Sequence, residues 1–161
     1  MNNNDILRRL RYAFDFTDVD AVSFFSLDPS SNAPMDKPGY LARLIKDEDP
    51  SFVLCTDGEL CAFLDGFVVH QRGLREPAPA PQPSKPDDFR LSKNDVLKKL
   101  RIALTFREED MLETLEIGGS TLSRGELGAL FRKPGHKHYR ACGNQVLRNF
   151  IKGLTEQIRG E

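Results

Sequence analysis

Apolar residues return at helical spacing in two passages that nearly copy each other. In "NNNDILRRLRYAFDFTDVDAV", beginning at Asn2, the residues Ile6, Leu7, Leu10, Ala13 and Phe14 share one face, with Arg8, Arg9 and Arg11 between them. In "SKNDVLKKLRIALTFREEDML", beginning at Ser92, Val96, Leu97, Leu100, Ala103 and Leu104 hold the same places, with Lys98, Lys99 and Arg101 between. Apolar positions three and four apart, with charge on the other side, predict an amphipathic helix in each copy. Asn2 with Asp5 and Ser92 with Asp95 have the spacing of a capping box, although Asp is short for that role. A second helix is predicted to begin near Asp18 and Glu108. Thr17 and Asp20 form the first of its caps, and Val22 and Phe25 correspond to Leu112 and Leu115 on the buried face.

The later passages match as well. "YLARLIK" from Tyr40 pairs with "ELGALFR" from Glu126, a short helix in each copy, and Ser123 with Glu126 supplies a cap. "FVLCTDGELCAFLDGF" from Phe52 pairs with "YRACGNQVLRNFIKGL" from Tyr139, which aligns Cys55 with Cys142, Phe63 with Phe150 and Gly66 with Gly153. Thr56 and Glu59 cap the last helix of the first copy. Strand-like alternation is confined to a brief "FVLC". The pattern therefore predicts an all-α fold, a tandem duplication of a small four-helix unit. The two units are joined by "EPAPAPQPSKPDD", residues 76–88, which holds five of the ten prolines. Proline lacks the N–H that a helix interior needs, so this run is expected to be an extended, semi-rigid spacer. The boundaries expected are 1–72 for the first repeat, 73–91 for the linker and 92–161 for the second repeat.

Composition changes the picture only where the halves differ. The whole chain carries a net charge of −1, which gives no general attraction to nucleic acid or acidic membranes. Residues 1–75, however, hold 8 basic and 12 acidic side chains, whereas residues 92–161 hold 13 basic and 9 acidic. The repeats thus kept their apolar pattern while their surfaces diverged in sign. Three cysteines at no zinc-ribbon spacing argue against a disulfide framework. The N-terminus lacks the apolar core of a signal peptide, and no apolar run approaches the roughly 18 residues of a membrane span. A cytoplasmic protein without a membrane partner is expected.

"NDVLKKLRIAL", "EEDML" and "LFRKPGHKHYRACGNQVLRNFIKGL" resemble the YehS-like family of small bacterial proteins, a domain of unknown function that usually occurs as a tandem pair. The resemblance covers nearly the whole chain apart from the spacer. In the first half the counterpart of "KPGHKHYRAC" is "DEDPSFVLC", without its histidines and its basic residues. The resemblance implies two copies of one helical domain and supplies no activity, so no catalytic residue is carried over.

Candidate chemistry concentrates in "FRKPGHKHYRACGNQ", from Phe131. Arg132, Lys133, His136, Lys137, His138, Tyr139 and Arg140 mix cations with imidazole and aromatic groups beside a Pro-Gly turn, a combination suited to an acidic protein patch or to phosphates and exposed bases. We expect this segment to be the partner-binding surface of a non-enzymatic interaction protein, with nucleic-acid binding as the alternative; a solvated loop would carry the same charges. His136, His138 and Cys142 could also be written as three zinc ligands of a metal-dependent hydrolase. Their spacing matches no structural zinc signature, and Cys142 aligns with Cys55 in a half that lacks the histidines, so a small buried core residue explains it better. No nucleophile elbow, phosphate loop or dinucleotide fingerprint is present, and no cofactor is expected. Arg11 and Arg101 are expected to pair with Asp20 and Asp110, and Asn4 and Asn94 to serve as helix-start caps.

Overall fold

The computed structural model describes residues 1–160, and the helices among them follow one order: α1 Asn3–Phe14, α2 Asp18–Leu27, α3 Lys37–Ala42, α4 Asp57–Arg72, α5 Lys93–Leu104, α6 Glu108–Ile117, α7 Arg124–Leu130 and α8 Asn144–Arg159. No strand occurs among the described residues, so the fold is all-α, as the periodicity predicts. Local chemistry starts the helices where the sequence places them. Asn2, Thr56, Ser92 and Ser123 each form a reciprocal capping box with the acidic residue three positions on. The short Asp side chains of Asp5 and Asp95 do reach the cap N–H, at 3.0 and 3.2 Å.

The chain divides into two compact units, Met1–Leu91 and one beginning at Ser92. Each unit buries the apolar face of its first helix, Ile6, Leu7, Leu10 and Ala13 in one and Val96, Leu97, Leu100 and Ala103 in the other. The second helix of each unit lies against the last, α2 on α4 and α6 on α8. A glycine permits each crossing. A Cβ on Gly66 would collide with the carbonyl oxygen of Phe24, and one on Gly153 with that of Thr114. The interiors differ in filling. The first unit clusters Phe14, Phe16, Phe24, Phe63 and Phe67 around ring contacts of 5.0–6.0 Å. The second has Leu104, Thr114 and Leu154 at three of those places, and retains the Phe106–Phe150 pair.

One detail of the repeat differs from the sequence reading. The caps Asp36 and Ser123 stand 87 positions apart, as do the helix starts Asp57 and Asn144. The third helix therefore keeps the same offset as the fourth, and buried Tyr40 corresponds to buried Leu127 rather than to exposed Glu126. The first unit is longer by three residues in the connection before this helix, 28–36 against 118–123, where no periodicity registers them.

Residues 73–91 contain no helix, in keeping with their prolines. They return to the first unit at several points. Gln82 N–H donates to the Pro29 carbonyl at 2.9 Å, Leu91 N–H donates to Asp57 Oδ2 at 2.8 Å, and Arg75 lies 3.6 Å from the buried Asp28 carboxylate. No described helix is long and apolar enough to cross a membrane.

Candidate functional site

The basic segment forms the connection between α7 and α8, and one asparagine fastens it. Asn94, buried in the first turn of α5, donates through Nδ2 to the carbonyls of Leu130 and Arg140, both at 2.9 Å, and accepts from Cys142 N–H at 2.9 Å. Asn4 repeats the arrangement in the first unit, on the carbonyls of Arg43 and Val53 and the N–H of Cys55. These asparagines are not caps, since Asn2 and Ser92 fill that role. Each satisfies three buried or part-buried backbone groups of a loop that has no regular structure to do so. Sequence reasoning missed them, yet a signal was present: "NNDIL" and "KNDVL" keep the residue in both copies.

Within the loop, His136 N–H donates to the Lys133 carbonyl at 3.0 Å and Tyr139 N–H to the His136 carbonyl at 2.9 Å, which folds the segment into consecutive turns. The first unit bonds Asp49 to Lys46 and Phe52 to Asp49 in the same way. The match extends to one side chain. Ser51 N–H donates to Asp49 Oδ1 at 2.8 Å, and His138 N–H donates to His136 Nδ1 at 3.0 Å. An imidazole nitrogen has taken over the task of a carboxylate oxygen.

On this shared frame the charges are opposite. Asp47, Glu48 and Asp49 of the first loop correspond in the repeat to Pro134, Gly135 and His136 of the second. In the first unit Arg8 donates to the Ile45 carbonyl at 2.7 Å, pairs with Asp5 at 2.7 Å and approaches Asp47 at 3.5 Å. The equivalent of Arg8 is Lys98. Its side chain, like those of Arg132, Lys133 and Lys137, has no hydrogen-bond or ion-pair partner among the described residues. A cavity of about 120 Å³ opens there, lined by Ser92, Asn94, Asp95 and Lys98 of the α5 start and by Leu130, Phe131, Arg132, Lys133, Pro134 and Tyr139 of the loop.

Of the seven residues expected to form the surface, Arg132, Lys133 and Tyr139 thus meet at the cavity, Tyr139 half-buried and the two cations exposed. His136, Lys137 and His138 stand exposed on the outer turn, the two imidazoles 5.6 Å apart. Arg140 is exposed and 3.5 Å from Glu126. Lys98 joins the group from another helix, a neighbourhood that only folding creates.

The zinc arrangement is not formed. Among the described residues no three His, Cys, Asp or Glu side chains come together to hold a metal. Cys142 is buried, and its burial pushes the thiol up to about 11, as burial pushes Cys55 to about 12. A thiol kept neutral is a poor nucleophile and metal ligand. The expected partners of the first-helix arginines also change. Arg11 pairs with Asp18 at 3.3 Å, whereas Arg101 donates to the Phe106 carbonyl at 3.2 Å and lies 4.9 Å from the Phe131 ring centre. Asp110 is occupied as a cap, accepting from Arg107 N–H at 2.8 Å.

Comparison with known proteins agrees with the internal repeat. The family described as "Protein of unknown function (DUF1456)" matches residues 3–73 and again 93–160. The chain is 37% identical over 155 residues to the uncharacterised protein YehS of Escherichia coli (strain K12), an alignment covering 96% of this chain and 95% of that one. No solved structure matches.

Proposed function

Because the chain belongs to the DUF1456 family, which is described only as of unknown function, its role has to be inferred from its own surfaces, and we propose that it is a non-enzymatic interaction protein binding an acidic macromolecular partner through its second unit. One observation carries this reading: two loops with the same hydrogen-bonded frame differ in sign, and Arg132, Lys133 and Lys137 of the basic one, with Lys98 of α5, have no acidic partner among the described residues. Cations crowded without counter-charges repel one another, a cost that an approaching anion removes. Arg132, Lys133, His136, Lys137, His138, Tyr139 and Arg140 form the surface. The cysteine there, Cys142, is buried and neutral, which favours binding over nucleophilic chemistry.

Replacing Arg132, Lys133, Lys137 and Arg140 together by Ala is expected to abolish binding of poly-L-glutamate at low salt and to leave the helical circular dichroism and melting temperature nearly unchanged. A collapse of the fold would make these side chains structural and end the proposal. The alternative, a nucleic-acid surface, predicts duplex DNA binding whose log K falls with log[salt] at a slope of about −0.9 per phosphate contact.

A further inference from the structure

The duplication supplies an internal control for what the second-unit cavity holds. In the first unit the guanidinium of Arg8 has a carboxylate of its own loop, Asp47, at 3.5 Å, besides Asp5 at 2.7 Å. In the second unit the backbone frame is retained, Lys98 takes the place of Arg8, and Pro134 takes the place of Asp47. One unit carries a loop carboxylate within its own chain; the other keeps Asp95 in the place of Asp5, has the cations and the space, and lacks the loop carboxylate. We infer, taking the proposed function as the starting point, that the cavity between the start of α5 and the 131–139 loop receives a single carboxylate side chain of an acidic polypeptide partner, with Lys98 and Lys133 as its cations and Arg132 at its rim.

The size and the walls of the cavity favour this ligand class. The cavity, about 120 Å³, is well below the roughly 300–1,000 Å³ of pockets that enclose small molecules and cofactors, so it has the size of a side-chain receptor. Asp95 forms part of the wall, its carboxylate held on Ser92 N–H at 3.2 Å. Against that one carboxylate stand Lys98, Arg132 and Lys133, so the site remains net positive toward an incoming acid. Bidentate reading of adenine calls on a free amide side chain; the amide at this site, Asn94, is spent on three backbone groups. Phe131 and Tyr139 supply an apolar wall for the methylene stem of a Glu or Asp side chain.

The experiment restores the missing acid. Pro134→Asp places a carboxylate where the first unit has one, and it is expected to weaken binding of a labelled hexaglutamate peptide about tenfold, the effect of losing one charged contact. Lys98→Ala is expected to weaken it by a similar factor, and Arg8→Ala, in the first unit, to leave it unchanged. Circular dichroism confirms folding of each variant; inorganic phosphate and a duplex DNA serve as competitors and are expected to displace the peptide poorly. If the quadruple alanine variant abolishes peptide binding while Pro134→Asp and Lys98→Ala do not weaken it, the basic surface survives and the cavity assignment is overturned. Binding of DNA in preference to the peptide, reduced by the same two variants, would overturn the carboxylate as ligand. Failure of both probes to bind would overturn the surface as well.

Discussion

Tyr40 illustrates how far a single residue departs from its duplicate. Its side chain is fully buried, and its hydroxyl has no hydrogen-bond partner among the described residues. Burial pushes its ionisation up to about 12, so the group is a neutral, unpaired dipole in an apolar interior. Such a group costs about 1–3 kcal/mol, and the second unit avoids the cost with Leu127. Tyr40→Phe is therefore expected to stabilise the first unit by about 1 kcal/mol, measured as a rise in urea midpoint at constant slope. No change or a loss would mean that the hydroxyl has a partner such as water. Asn4 and Asn94 are the opposite case, polar residues whose every group is used. A polar residue in an amphipathic helix looks like surface in the sequence. Only the fold distinguishes the asparagine that fastens a loop from the tyrosine that lacks a partner.

Among the elements, α4 and α8 depend on a contact that propensity disfavours. Glycine in a helix interior costs about 0.5–1 kcal/mol relative to alanine, yet Gly66 and Gly153 stand in mid-helix because a carbonyl of the neighbouring helix leaves no room for a methyl. Gly66→Ala and Gly153→Ala should each destabilise by about 3 kcal/mol, since overpacking against rigid backbone forces the helices apart. α7 adds a pH-dependent contribution. The Ser123 backbone N–H donates to Glu126 at 2.9 Å, and together with the Ser123 hydroxyl and Arg140 it holds the carboxyl below its ordinary 4.5. With the folded value depressed, stabilisation is fully present above the unfolded value and is lost as pH falls through the folded one. Wild type and Glu126→Gln should thus differ in urea midpoint at pH 6 and converge near pH 3; a gap that persists in acid would assign the effect to shape rather than charge. The capping pattern that starts α7 was legible at Ser123 and Glu126. The one-residue shift of α3 was not, because a turn without periodicity conceals an insertion.

For the whole molecule, two units with separate interiors predict separable unfolding. Each core closes on its own helices, with an aromatic cluster in the first unit and mainly aliphatic packing in the second. In a urea titration followed by amide exchange, Gly66→Ala should lower protection only in the first unit and Gly153→Ala only in the second. A loss that spreads equally through both would reveal one cooperative body. The same division explains the charge pattern. A duplicated core constrains apolar positions in both copies, whereas solvent-facing loop residues are free to change sign without disturbing the frame beneath them. Asp47, Glu48 and Asp49, replaced in the second copy by Pro134, Gly135 and His136, are that freedom in use.

The sequence by itself determined the helical class, the duplication, the caps and the basic character of the 132–140 segment, because each depends on neighbours within a few positions or on comparing the copies. Burial of Cys142 was also legible, from its alignment with Cys55. The tertiary structure alone decided which cations stand without partners, that Lys98 on α5 meets Arg132 and Lys133 across a cavity, and that Asn94 holds the loop in place. Those relations join residues more than 30 positions apart, and a distance of that kind is set by how helices pack.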